Sequence, residues 1–389
     1  MRQPEQIALL KRLLHFVETR TTYMAEAPYR NPAAIYTDPA RLQREQAELF
    51  RREPLLLGFG SQWAGPGDYR TEDYGGVPIL VVRGRDGILR AFLNVCRHRG
   101  AKVADGCGSA RAFSCPYHAW TYDLAGRLAH IPEERGFPGV KDERPSLTAL
   151  PLCEKHGLVW AITTPAADGA TAFDIDGWLG AELADELAAY NFAVWPHYAT
   201  RVLQQKMNWK LAIDTFHEGY HIGALHRKTI APLFSNAVDF KAFGPHLRMS
   251  IARAKITRLK DKPESEWDAI WNTALVYTML PNAVLVMNGD HVELWRIFPH
   301  DGRVDRSLVV LSFYIPKPVA SDDEKRHWDA NLDLTLRFVT EEDFPTGEGI
   351  QSGFSSGAQS HTVFGQNEPA LSHFHQSLQR LMGRRRPSP

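Results

Sequence analysis

Two short loops in the first third of the chain each pair a cysteine with a histidine, and this pattern constrains the fold more than any other part of the sequence. The first loop carries Cys96 and His98, and the second carries Cys115 and His118. Each pair is close enough in sequence for one loop to offer both side chains to one metal centre. The two loops together therefore predict a small domain that holds a single metal cluster.

The residue types favour an iron–sulfur cluster over a zinc ion. Thiolates suit ferric iron and sulfide-bridged clusters, whereas neutral imidazoles suit the more reducible iron and raise the reduction potential. Zinc sites of the Cys₂His₂ type usually group cysteine with cysteine and histidine with histidine. In this chain each loop carries one residue of each type, so zinc is the weaker alternative.

A second group of candidate ligands lies around residue 220. The segment Asn208–Ile222 has helical periodicity, and it carries Glu218 and His221, with His226 shortly after it. On a regular α-helix the two histidines would point about 140° apart, so both reach one metal only if the helix loosens at Gly223. Two histidines and one carboxylate are the ligands of mononuclear Fe(II) sites that bind O₂.

Two neighbouring residues leave this assignment open. His217 lies one helical turn before His221, so spacing alone makes it an equal candidate ligand. Asp214 is either a hydrogen-bond partner of a ligand or a structural acid. The third ligand must be a carboxylate from elsewhere in the chain.

Periodicity along the rest of the chain predicts an α+β fold. Apolar residues from Leu9 to Val17 and the Asp38–Pro39 start signal predict two N-terminal helices. Strands of a small β domain are predicted at Val77–Val82, Leu89–Asn94, Ala119–Tyr122 and Leu158–Ile162. After a linker at residues 165–174, the predicted elements are a helix at Asn208–Ile222, strands at Ala283–Met287, His291–Phe298 and Arg306–Tyr314, and helices at Ser321–Val339 and Leu371–Leu381.

The cysteine–histidine loops resemble the [2Fe–2S] signature of the Rieske non-heme iron oxygenases, the family of the aromatic-ring-hydroxylating dioxygenases. The flanking residues that also match that family's pattern are Pro116, Tyr117, Trp120, Tyr122 and Gly126. Ala119 departs from it, because the family usually has glycine there, and the added methyl group puts the local turn in question. The resemblance implies that Cys96 and Cys115 hold one iron of the cluster and that His98 and His118 hold the other. Cys107 and Cys153 match no ligand position and are expected to be free thiols.

The later motifs are similar to the same family in the same order. Glu218, His221 and His226 match its Asp/Glu-x-x-His-x-x-x-x-His pattern, and Asp343 with Glu348 resembles its late Glu-Asp-x-x-x-x-Glu pattern. The resemblance implies that His221, His226 and Asp343 bind the mononuclear Fe(II), with Asp343 preferred over Glu341 and Glu342. It also implies that Glu218 bridges His221 to His118 of a neighbouring subunit. His217 is then expected in the pocket or beside a ligand.

The resemblance further implies an architecture and partners. A Rieske β-sandwich domain at residues 51–165 is expected to be embedded in a helix-grip (START-like) catalytic domain at 166–389 with an antiparallel sheet, against which the N-terminal helices of residues 1–50 pack. Electrons are expected to come from NADH through a separate reductase, with or without a ferredoxin, since no GxGxxG fingerprint follows a strand in this sequence. A head-to-tail homotrimer is expected.

The expected activity is hydroxylation or oxidative demethylation of a small organic substrate with O₂. An apolar aromatic, steroid-like or methoxylated substrate is favoured over a quaternary amine, because no Arg or Lys clearly points inward, Arg296 being the open case. Candidate pocket residues are Phe216, Ile222, Leu225, Met279, Met287, Trp295 and Phe313, with ordinary core as the alternative. A Rieske electron-transfer protein without oxygenase activity is the rival function.

Charge and hydropathy exclude other classes of partner. The chain has 45 Lys+Arg and 45 Asp+Glu residues, so its net charge gives no reason to expect nucleic acid binding. The charged N-terminal stretch does not resemble a signal peptide, and no run is apolar enough for a membrane span, so a cytoplasmic location is expected. The basic end at Arg384–Arg386 is expected to be a solvated tail.

Overall fold

The computed structural model describes residues 1–383, apart from the side chains of Tyr74 and Lys141. The tail expected at Arg384–Arg386 lies outside the described residues. The chain forms two compact units: a smaller one from Ala47 to Trp178, and a larger one made of Met1–Gln46 together with residues 179–383. Helices and antiparallel sheets coexist in it, which confirms the predicted α+β fold.

The smaller unit is built from short antiparallel strands. Its larger sheet has five strands in the order Ala149–Leu150, Leu89–Leu93, Val77–Arg83, Asp68–Tyr74 and Cys107–Ser109. Two further sheets have three strands each. One contains Leu152–Lys155, Leu158–Ala161 and Leu55–Phe59. The other contains Phe113–Ser114, Thr121–Tyr122 and Leu128–His130. The unit also contains a short helix, Val140–Glu143, and all but the last residue of the helix Ile175–Leu179.

One predicted strand of this unit begins later than expected. The strand predicted at Ala119–Tyr122 contains only Thr121 and Tyr122. Ala119 has a φ of 56°, which belongs to the left-handed region and is incompatible with an extended strand. The two residues before the strand are instead part of a turn that carries a candidate ligand.

The larger unit is organised around one antiparallel sheet. Its seven strands lie in the order His197–Gln205, Arg303–Tyr314, Val292–His300, Ala283–Met287, Thr273–Met279, His246–Arg253 and Phe234–Phe243. All neighbours are antiparallel, and most follow one another directly in sequence, as hairpin connections require. The central strands are buried along almost their whole length, because helices and loops of the same unit cover the sheet.

Helices of the larger unit surround this sheet. Their bounds are Gln3–Thr19, Pro39–Glu45, Ala181–Ala188, Trp209–Asp214, Ile222–Leu225, Ala269–Asn272, Asp322–Phe338, Phe344–Ser355 and Pro369–Met382. The helix expected to run from Asn208 to Ile222 ends at Asp214, which corrects the sequence prediction. Thr215 Oγ1 donates to the Ala212 carbonyl at 3.0 Å, and such side-chain bonding competes with the helical ladder. No helix within residues 1–383 has the length and apolar character that crossing a membrane requires.

A buried ion pair ties two of these helices together. Glu45, at the end of its helix, accepts from Lys210 Nζ at 2.7 Å and from the Trp209 indole at 2.8 Å. Arg41 adds a third donor at 2.9 Å. Glu45 and Lys210 are both almost completely buried, so removing one partner would leave the other charge without compensation.

Candidate metal centres and cavity

The two cysteine–histidine loops form turns of the same geometry. The amide of Cys96 donates to the carbonyl five residues later at 2.8 Å, and the amide of Gly100 donates back to the Cys96 carbonyl at 3.0 Å. The second loop repeats both bonds, from Cys115 at 2.8 Å and from Ala119 at 2.9 Å. Gly100 has a φ of 80°, and Ala119 takes the matching position with a φ of 56°. The alanine therefore keeps the turn but places a side chain where glycine is favoured.

The four predicted cluster ligands of these loops have matching environments. The two imidazoles face each other, with His98 Nδ1 and His118 Nδ1 3.1 Å apart. Cys96 and Cys115 are buried and form no disulfide. The His98 ring stacks on Trp120 with 4.9 Å between centroids. Partial desolvation and the facing His118 lower the pKa of His98, which keeps the imidazole neutral, as metal ligation requires.

Three donor atoms from distant parts of the larger unit converge on a second point. His221 Nε2 lies 3.1 Å from His226 Nε2. An Asp343 carboxylate oxygen lies 3.0 Å from His226 Nε2 and 3.6 Å from His221 Nε2. The ligand atoms of all three residues lie within 4.8 Å of one another. Two nitrogen lone pairs and one carboxylate oxygen directed at one point form a donor set that suits a divalent transition metal.

The far side of each imidazole is held by a carboxylate. His221 Nδ1 donates to Glu218, and His226 Nδ1 donates to a Glu342 oxygen at 2.5 Å. Thr229 Oγ1 donates to the same Glu342 oxygen at 2.7 Å. These bonds place the ring proton on Nδ1 and leave the Nε2 lone pair free, which is the tautomer that a metal needs. Although burial opposes protonation, the Asp343 and Glu342 carboxylates raise the pKa of His226, and the same negative field favours a bound cation.

Local backbone geometry explains how neighbouring acids reach one site. Val339–Asp343 forms a π-helical turn between two α-helices. A π turn widens the helix locally and changes the direction of the side chains that follow it. Glu342 therefore reaches the outer nitrogen of His226 while Asp343 reaches its inner nitrogen. The sequence motif favoured Asp343 but gave no sign of a role for Glu342.

A cavity of about 340 Å³ opens beside these donors. His221, His226, Asp343 and Glu218 form one part of its wall, and much of the remaining wall is apolar. The apolar lining residues are Phe216, Ile222, Ile230, Leu233, Phe234, Met249, Ile251, Trp271, Ala274, Val276, Val286, Leu334 and Phe338. The volume is in the range of small-molecule sites.

A charged network forms another part of this wall. His291 lies between Asp290, at 2.9 Å, and Glu293, at 3.2 Å. Burial opposes its charge, but the bonds with both carboxylates raise the pKa of His291 to about 9. Glu293 also accepts from the Trp295 indole and from Thr335, each at 2.9 Å. The negative charges of Asp290 and Glu293 are therefore balanced by protonated His291 and by hydrogen bonds within the network.

A second cavity, of about 240 Å³, also borders His221. Glu218, His221 and Asp214 are among the residues that line it. Asp214 accepts from the Tyr36 hydroxyl at 2.7 Å and from His375 Nε2 at 2.9 Å. Asp214 is thus a half-buried structural acceptor at the edge of this cavity and not a hydrogen-bond partner of His221 or His226.

His217 is a core residue, which corrects the expectation that it lies in the pocket. Its side chain is fully buried and lines neither of the two cavities. Its Nε2 pairs with the Thr278 hydroxyl at 2.8 Å, and its ring packs edge-on against Phe374. Burial lowers the pKa of His217 to about 3, so it is neutral. Because the helix ends at Asp214, His217 does not share a helical face with His221.

The predicted pocket wall is partly wrong. Phe216 and Ile222 line the larger cavity and Leu225 lines the smaller one, whereas Met279, Met287, Trp295 and Phe313 line neither. Strand alternation explains the two methionines, since their neighbours Thr278 and Val286 occupy the opposite face of the sheet. The two aromatic rings lie behind lining residues: Trp295 packs on Phe216 at 5.2 Å and Phe313 stacks on His291 at 4.6 Å.

Sequence reasoning also missed a cation in the wall. Arg253 lines the larger cavity together with Met249 and Ile251 of the same strand. Residues at alternate positions of a strand share a face, so this spacing was a usable signal. Arg296, the residue left open, is completely buried and lines neither cavity.

Comparison with known protein families assigns both units. The family model of the Rieske [2Fe-2S] domain matches residues 56–143, and that of the ring hydroxylating alpha subunit (catalytic domain) matches residues 192–384. The first match contains both cysteine–histidine loops. The second contains His221, His226 and Asp343.

Curated relatives include both monooxygenase and dioxygenase subunits. The carnitine monooxygenase oxygenase subunit of Escherichia coli (strain K12) is 27% identical over 361 residues, covering 89% of this chain and 92% of that protein. The biphenyl 2,3-dioxygenase subunit alpha of Rhodococcus jostii is 35% identical over 222 residues, covering 54% of this chain and 46% of that protein. The similarity to the carnitine enzyme therefore extends over nearly the whole chain.

Solved structures show the same fold. A quaternary ammonium Rieske monooxygenase in complex with L-carnitine superposes with a TM-score of 0.78 at 22% identity, covering 92% of this chain and 97% of that one. The naphthalene 1,2-dioxygenase of Rhodococcus sp. superposes with a TM-score of 0.74 at 20% identity, covering 97% and 98%. With both family models matched in their usual order, the chain belongs to the Rieske non-heme iron oxygenases, as an alpha subunit that uses a [2Fe–2S] cluster and a mononuclear iron.

Proposed function

We propose that His221, His226 and Asp343 bind the mononuclear iron of this oxygenase and that the 340 Å³ cavity beside them binds its organic substrate. The observation that carries the proposal is the convergence of their three donor atoms to within 4.8 Å of one another. Two imidazoles and one carboxylate leave coordination positions open, which an iron that reacts with O₂ requires. When bound, the iron supplies the activation of O₂ for hydroxylation or oxidative demethylation.

The surrounding residues prepare the site for that chemistry. Glu218 and Glu342 each keep a proton on the Nδ1 of a ligand histidine, so both Nε2 lone pairs stay directed at the metal. The apolar wall of the cavity excludes water and positions the substrate carbon. The protein thus contributes orientation and a dry environment.

Electron delivery uses the other metal centre. Cys96, Cys115, His98 and His118 hold the [2Fe–2S] cluster in this proposal, and an NADH-dependent reductase, with or without a ferredoxin, reduces it. The resemblance supports a head-to-tail homotrimer in which His118 of one subunit faces Glu218 of the next. His118 is exposed and His98 is half-buried, and the exposure of His118 supports a role in contacts with another protein. The cytoplasmic location stays a prediction.

Iron content tests the assignment of the ligands. The purified chain is expected to contain three iron atoms, two in the cluster and one in the mononuclear site. His221→Ala and Asp343→Asn are expected to lower the content to two while the visible spectrum of the cluster is unchanged. The matched controls are His361→Ala and Glu341→Gln, which alter an exposed histidine and an exposed carboxylate. Three irons in both ligand variants would contradict the assignment.

Two classes of substrate are candidates for this cavity. The apolar wall suits an aromatic or methoxylated compound, as the sequence suggested. The carnitine and choline monooxygenases, however, are similar over 89% and 88% of this chain. This similarity favours a quaternary amine. Reductase-coupled turnover of both substrate classes, with products identified by mass spectrometry, decides between them.

A further inference from the structure

Arg253, a half-buried cation of the larger unit, lacks the carboxylate partner that two fully buried cations of this unit have. Lys210 pairs with Glu45 at 2.7 Å, and Arg248 pairs with Glu186 at 2.6 Å. No carboxylate among residues 1–383 lies within ion-pair distance of Arg253. A cation partly removed from water without an ion-pair partner is destabilised, so a negative group beside it is favoured.

The contacts of Arg253 hold its guanidinium in place without neutralising it. Its Nη2 donates to Asn288 Oδ1 at 3.2 Å, and its guanidinium carbon lies 5.5 Å from the centre of the Phe234 ring. Its buried Nε has no hydrogen-bond partner. Burial lowers the pKa of Arg253, opposed by the charge of Asp290, and that acid is already bonded to His291. The guanidinium stays charged, since arginine does not deprotonate in proteins.

Arg253 lines the same cavity as the three metal donors. Arg253, Asn288 and Phe234 line the cavity together with His221, His226 and Asp343. Arg253 bonds to Asn288, whereas the donor histidines bond to Glu218 and Glu342, so the two groups share no hydrogen-bond partner. The Asn288 side chain accepts from Arg253 through its oxygen, and its amide NH₂ remains as a second donor beside the guanidinium.

We propose that the cavity accepts a substrate that carries a carboxylate, bound by Arg253 with Asn288, while the carbon to be oxidised lies at the metal donors. Arginine and amide N–H groups match the acceptor geometry of a carboxylate, and a charge-assisted bond of this kind is strong in a largely apolar cavity. The carboxylate supplies the negative charge that no residue supplies. This inference rests on the proposed function for the position of the reacting carbon.

Binding measurements on the holoenzyme test this proposal. The probes are carboxylates paired with the corresponding primary alcohols: glycine betaine with choline, benzoate with benzyl alcohol, and butyrate with butanol. We expect at least one carboxylate to bind the unmodified protein about 10- to 100-fold more tightly than its alcohol in calorimetry. Arg253→Gln should abolish that preference, and Arg253→Lys should keep part of it. Lys255→Gln removes an exposed charge two residues away and should have no effect.

Three outcomes would overturn the proposal: equal binding of acid and alcohol, a preference that survives Arg253→Gln, or no binding by any of the carboxylates. Folding of each variant is checked by the visible spectrum of the cluster and by iron content, which should both be unchanged. A failure of the proposed function would show up differently. In that case the iron content would not respond to His221→Ala, and the carboxylate preference at Arg253 would still be measurable.

Discussion

Replacing Ala119 by glycine is expected to stabilise the cluster-binding unit. Ala119 has a φ of 56°, and a residue with a Cβ atom in this region costs roughly 1–2 kcal/mol. Glycine removes that cost but adds freedom to the unfolded chain, which offsets about 0.4–1 kcal/mol. The net gain is about 0.5–1 kcal/mol, because the backbone hydrogen bonds of the turn do not change.

Gly100 provides the matched control for this prediction. It occupies the same position of the other loop with a φ of 80°. No heavy atom lies within 4 Å of a Cβ built there, so Gly100→Ala adds backbone strain without a steric clash. Its expected effect is therefore a loss of about 0.5–1 kcal/mol, opposite in sign to that of Ala119→Gly.

The rate of cluster loss in a fixed urea concentration measures both effects. Visible absorption reports the cluster directly, and the rate of an irreversible loss is the appropriate measure of stability. Ala119→Gly should slow the loss by about 2- to 5-fold and Gly100→Ala should accelerate it by a similar factor. The double variant should return close to the original rate. If Ala119→Gly leaves the rate unchanged while Gly100→Ala accelerates it, the reasoning from φ is refuted.

Three further changes probe the larger unit. The pKa of His291 is raised to about 9, so its protonation stabilises the fold fully below pH 6.5, and this stability is lost as the pH rises through 9. His291→Gln should make the unfolding free energy from urea titrations less dependent on pH. An unchanged pH dependence would contradict the raised pKa. Glu342→Gln should weaken iron retention against a chelator by about 10- to 100-fold, whereas Glu341→Gln should not. Glu45→Ala leaves the buried charge of Lys210 without a partner and should lower the free energy of unfolding by about 3–5 kcal/mol. A loss below about 1 kcal/mol would mean that Lys210 pairs with another group.

Local spacing predicted which segments of the chain carry the cysteine and histidine donors. The intervals within the two cysteine–histidine loops, and between His221 and His226, are short enough for a single segment to decide which side chains can meet. Asp343 required a family motif, since only the folded sheet brings it near the histidines. The α+β class followed from alternating helical and strand periodicity, which depends on burial of one face of each element.

Features that depend on three-dimensional packing were not predictable in this way. The end of the helix at Asp214 depends on a competing bond from Thr215, although periodicity continued to Ile222. The role of Glu342 depends on a π turn, which no local sequence pattern predicted. Arg253 was in phase with apolar lining residues, but whether an arginine has an internal partner can be read only from the folded structure.

The position of the three donors along the chain determines when iron can enter the protein. His226 and the acid beside Asp343 are 116 residues apart in sequence, and six of the seven sheet strands lie between them. An ion bound at both ends closes a long loop, and closing it has a low entropic cost only after the sheet has formed. Loading is therefore a late step of assembly. Iron occupancy then reports completed folding of the whole sheet, so a variant destabilised far from the donors is also expected to be purified with less iron.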